Sequence, residues 1–164
     1  MVTEPSPAEQ LPPLIVVEAL TRAINGDAHG GGMLIVPLIE ESRVSCFALC
    51  VMLATAAKTG MNHLDPPSGP SVVVLQVEDV ETGEAADVSD LRPDVVFAAR
   101  FTAAWANEDH DTAQALFDAL AADTYSEAGM TRLVDGVLAL YSMAIATTRA
   151  LVDAERDTPT QRKD

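Results

Sequence analysis

From Arg92 to Asp157 apolar side chains return every three to four residues, with brief polar breaks near Asn107–Asp109 and Thr124. That spacing is the pitch of an α-helix, so the C-terminal half reads as three successive helices with apolar stripes. Pro93 suits a helix start, and Val96, Ala99, Phe101, Ala104 and Trp105 follow at helical intervals. Asp111 with Gln114 makes a cap-like opening to the next helix. Thr124–Glu127, of the form T-x-x-E, opens a long helix to about Asp157.

The N-terminal half follows the same habit less cleanly. Pro12 to Asn25 reads as a helix with Leu14, Val17, Leu20, Ala23 and Ile24 on one side, closed by Gly26. Met33 to Ile39 stays open between a buried strand and a short distorted helix, because Gly30–Gly32 and Pro37 disfavour a long one. Ser42 caps a nearly all-apolar central helix to about Thr59, closed by Gly60. Met61 to Ser71 reads as loop. Val72–Val80 against Ala85–Val88 reads as a small β-hairpin.

The expected fold is therefore mainly α, a bundle of about five to six helices with a β-hairpin insertion. Residues 11–157 form one domain with the hairpin connector at about 71–89, between a flexible N-terminus (1–10) and a disordered tail (158–164). Composition agrees: 26 of 164 residues are alanine while aromatics make up 4%, which favours close helix packing over a sandwich. An offset of 82 residues lays Asn25 on Asn107, Asp27 on Asp109, Leu34 on Leu116 and Leu38 on Leu120. Two duplicated halves, with the long helices paired at the centre, would follow.

The formal charge is −15, and seven of the 25 acids lie between Met61 and Leu91 without a single Lys or Arg. Such a field repels phosphate backbones and anionic lipid, so neither nucleic acid nor membrane is an expected partner. No early Lys or Arg precedes a hydrophobic stretch to make a secretory leader. Val44–Ala57 has the length of a core helix rather than a span. Cys46 and Cys50, one helical turn apart, are badly aimed for a disulfide and read as buried thiols in a reducing cytoplasm.

No segment reaches the specificity of a catalytic or cofactor motif, and no catalytic, cofactor or metal residue is assigned. The most reactive-looking patch is Glu108, Asp109, His110 and Asp111, where a histidine among acids has the makings of a cation site or an oriented base. Consecutive residues point in different directions, however, and acids at a helix start are explained by capping. Trp105, Tyr125 and Tyr141 are the candidate lining of a ligand cavity. His63 with Asp65 lacks a third group, and Gly30–Gly32 lacks the lysine and hydroxyl of a P-loop.

The stretch ARFTAAWANEDHDTAQALFDALAAD (99–123) resembles the opening helices of the NTF2-like fold. That resemblance implies a curved sheet enclosing a pocket after residue 123, whereas Ser126–Asp157 reads as continuous helix, so no site residue is carried over. A non-catalytic interaction or accessory protein that self-associates, as a homodimer, through apolar helix faces fits the sequence best. The alternative is a small-molecule-binding protein or enzyme using a cavity between helices.

Overall fold

The structure, a computed structural model, describes residues 7–64 and 91–157 and places six helices there. These are α1 (Pro7–Ile24), α2 (Ala28–Glu41), α3 (Arg43–Leu64), α4 (Pro93–Ala106), α5 (His110–Leu120) and α6 (Glu127–Asp157). The helical bundle stands, and no strand occurs among the described residues. The hairpin expected at 72–88, its connector at 71–89 and the tail at 158–164 lie outside the described residues. No curved sheet follows residue 123: α6 runs unbroken for 31 residues where the NTF2-like pattern would need strands.

Several boundaries move. Helix α1 begins at Pro7, so Pro12 and Pro13 lie inside it rather than in its first turn. Of the two readings of Met33–Ile39 the helix holds and the strand does not: these residues continue α2, a 14-residue helix whose Gly31, Ile35, Leu38 and Ile39 are buried. Gly60 does not end α3. It sits within that helix against α6, where a Cβ would come 2.9 Å from the Thr147 carbonyl. Met61–Leu64 is therefore helix, not loop.

Capping follows the same local logic. The Ser42 Oγ accepts from the Ser45 N–H at 3.0 Å, as its position before the apolar run predicts. For α5 the cap is Asp109, not Asp111, and its carboxylate accepts from the Thr112 N–H at 3.1 Å. For α6 it is Ser126, not Thr124: Ser126 Oγ accepts from the Gly129 N–H and donates to the Asp123 carboxylate.

The most extensive helix pairing is α3 on α6, followed by α1 on α2. On α3 the buried positions are Cys46, Leu49, Cys50, Leu53, Ala54, Ala57 and Gly60, and on α6 they are Gly129, Leu133, Gly136, Val137, Leu140, Tyr141 and Ala144. Both sets recur within every turn, so each helix keeps one continuous face turned inward. The chain's four phenylalanines form one string across three helices, Phe97–Phe101–Phe47–Phe117. Ring centroids along it are 5.5, 6.2 and 5.1 Å apart, in the tilted and edge-on range that aromatic rings prefer.

Two interhelical turns repeat each other bond for bond. After α1, Gly26 N–H donates to Ala23 and Asp27 N–H to Arg22. After α4, Glu108 N–H donates to Trp105 and Asp109 N–H to Ala104. Gly26 (φ 97°) and Glu108 (φ 63°) are the left-handed residues that close each helix. Asp27 and Asp109 then cap the next helix through Gly30 and Thr112.

Candidate functional site

The patch Glu108–Asp111 sits on the α4–α5 turn, and each member there has a local structural partner or an exposed position. Glu108 is the left-handed hinge, with its carboxylate 3.7 Å from Lys58 of α3. Asp109 is the α5 cap, and the Thr112 hydroxyl and N–H hold its carboxyl below the usual range. The His110 ring lies on the Trp105 indole, centroids 4.5 Å apart. Asp111 is exposed in the first turn of α5, where a negative charge suits the helix dipole.

The three aromatics named from sequence occupy different surroundings. Trp105 is half-buried and its indole N–H donates to the Thr55 hydroxyl at 3.0 Å, joining α4 to α3. Tyr125 is fully exposed before α6. Tyr141 is buried, and its hydroxyl donates to the Ala19 carbonyl at 2.8 Å, joining α6 to α1. His63 lies in the last turn of α3 beside the Thr59 carbonyl, and its suggested mate Asp65 lies outside the described residues.

Among the described residues two clefts lie elsewhere, and none of these aromatics lines either one. A groove of about 390 Å³ runs along the α4–α5 hairpin past Arg100, Asn107, Thr112 and Leu116, with Asp109 at its edge. A narrower cleft of about 140 Å³ opens where the α2–α3 and α5–α6 junctions meet, lined by Ile39, Arg43, Cys46, Phe117, Met130 and Leu133. At its mouth Arg43 donates to Asp118 at 2.7 Å and to the Ala121 carbonyl at 3.1 Å. The guanidinium also lies 5.7 Å from the centre of the Phe117 ring, within cation–π reach, and holds the Asp118 carboxyl below its usual range.

The sequence reading missed this second cleft, because its lining comes from helix ends about 75 to 90 residues apart along the chain. No three His, Cys, Asp or Glu side chains converge among the described residues. Within them, α3 (Arg43–His63, mean hydropathy 1.6) and α6 (1.3) are long and apolar enough to cross a bilayer. Compared with protein-family models, with curated proteins and with solved structures, the chain matches none.

Proposed function

We propose that this chain is a non-catalytic helical interaction protein that pairs with a second copy of itself through the outer surface of the α1–α2 hairpin. One observation carries the reading: α2 has no Asp, Glu, Lys or Arg between Ala28 and Ile39, although it is an outer helix with much of its surface open. Met33 is 58% exposed there, and on α1 Leu14 and Val17 are 65% and 61% exposed. A solvated helix normally carries charge on its outer face, so an uncharged one is suited to being covered.

The six helices are, in this reading, two copies of one three-helix unit: α1–α2–α3 and α4–α5–α6. The matched turns, left-handed residues and caps support it. Under the same 82-residue offset, Leu14, Val17 and Met33 fall on Val96, Ala99 and Ala115, which are smaller. Among the described residues, the first unit's outer helix pair then carries the larger apolar side chains. A single self-complementary patch per chain favours a closed two-fold dimer over an open polymer.

Two free, buried cysteines support a reducing, cytoplasmic setting. The extensive α3–α6 pairing supports a core role for these two helices rather than a spanning one. Nucleic acid is disfavoured as a partner by the charge. Size-exclusion chromatography with light scattering tests the proposal on the full chain and on the Val17→Glu, Met33→Glu double variant. A dimer that the two glutamates split, with helical content unchanged, is expected. A monomeric parent chain, or a dimer indifferent to both glutamates, overturns it.

A further inference from the structure

We propose that the cleft at the α2–α3 and α5–α6 junctions docks a basic segment of a partner protein, which seats one large apolar side chain in the cleft and sets Lys or Arg on its acidic rim. The floor is apolar: Ile39, Phe117 and Leu133 are buried core residues, and Met130 is half-buried in the same lining. Val44 and Tyr125 directly follow the lining residues Arg43 and Thr124, and they are 79% and 102% exposed. The other large exposed hydrophobics among the described residues belong to α1 and α2, so this is a second apolar surface. At about 140 Å³ the cleft has room for a single side chain, well short of the about 300–1,000 Å³ of a drug-sized ligand site.

Charge names the occupant. Glu40 lines the cleft, Glu41 is its chain neighbour, and Glu127 stands one turn before Met130 on α6; all three are exposed. Among the described residues none of the three has an ion pair, because the cations are committed elsewhere. Six pair with other carboxylates, Arg149 donates to the Ala23 carbonyl, and Arg100 lines the α4–α5 groove. Arg43 at the mouth is held by Asp118 and the Ala121 carbonyl, so it shapes the cleft without neutralising the rim. An acidic rim over an apolar floor complements a segment carrying both an apolar anchor and positive charge. A second copy, at −15, brings the wrong sign to this rim, as do anionic lipid and nucleic acid. The site does not rest on self-association.

The test pans a random-peptide phage library on the full chain and measures the selected peptides by fluorescence anisotropy. Peptides with one Leu, Met, Phe or Trp flanked by Lys or Arg are expected, with binding that falls as salt rises. The double variants Glu40→Lys, Glu127→Lys and Val44→Ser, Tyr125→Ser should each weaken it roughly tenfold. All four positions are exposed, and circular dichroism checks that helical content is unchanged. The Val17→Glu, Met33→Glu variant should bind as the parent chain does, which keeps this result apart from the fate of the dimer. No selected peptide, a neutral or acidic consensus, or binding indifferent to both rim variants each overturns the inference. So does a dimer that Val44→Ser, Tyr125→Ser splits, since a second copy would then cover this face.

Discussion

The hydroxyl of Tyr141 on α6 donates to the backbone carbonyl of Ala19 on α1, 2.8 Å away and out of solvent. Gly31 of α2 lies directly beneath that bond. A Cβ built there would collide with both the Tyr141 hydroxyl and the Ala19 carbonyl oxygen. Three helices therefore meet at one hydrogen bond and one missing side chain.

Neighbouring glycines should then respond in opposite directions. Gly31→Ala puts a methyl against backbone that cannot step aside, and should cost about 3 kcal/mol, the upper end of overpacking. Gly32→Ala meets only a ring carbon of Tyr141 at 3.8 Å, an ordinary contact. Its expected effect is a gain of about 0.5–1 kcal/mol from helix propensity. Urea denaturation of the two variants measures both signs.

Removing the hydroxyl isolates the bond itself. Tyr141→Phe should cost about 1 kcal/mol near neutral pH. Burial first, and the Asp27 carboxylate second, raise the Tyr141 pKa in the folded chain. The folded state thus keeps its proton when the unfolded chain begins to lose one, near pH 10. Stability from this group is full below that pH and is lost as pH rises toward the folded value. The parent chain should lose stability above pH 10 more steeply than Tyr141→Phe, as read by urea midpoints on either side.

The matched turns make a reciprocal prediction. Glu108 holds a left-handed backbone that costs a side-chain residue about 1 kcal/mol, and its ion pair to Lys58 is long at 3.7 Å with the Glu108 side chain exposed. Glu108→Gly should therefore stabilise the protein, and Gly26→Ala should destabilise it by about 1 kcal/mol. Thermal unfolding of both variants checks the pair.

At the α5 start, stability should depend on acid. Thr112 donors depress the Asp109 pKa, so the cap contributes above the unfolded value of about 4 and fades as pH falls through the folded one. Asp109→Asn should keep part of the cap at neutral pH and lose its acid dependence, while Asp109→Ala should lower the urea midpoint at neutral pH. Titrating the midpoint from pH 7 down to pH 2 compares them.

Much of this fold was legible because α4 to α6 obey local rules: regular apolar spacing, proline at the start of α4, and acids or hydroxyls ahead of α5 and α6. The caps slipped by two residues because Asp109 and Ser126, like the residues chosen for them, can each accept from an N–H three positions on. Helix α2 was not legible, since glycines at 30–32 signal a break until Tyr141 and Ala19 show why Gly31 must lack a side chain. Gly60 misled in the same way, being small for the sake of Thr147 rather than a helix end. Of the candidate patch, the residues were visible but not their separate local surroundings, and the cleft that Cys46 and Met130 both line depends on long-range helix packing that no spacing encodes.

The central claim is that the uncharged α1–α2 surface is an interface, and mass in solution addresses it most directly. Sedimentation equilibrium of the unaltered chain at micromolar concentration should return twice its 17.3 kDa, falling to a single chain in the Val17→Glu, Met33→Glu variant. A parent chain that sediments at 17.3 kDa throughout that range would contradict the account.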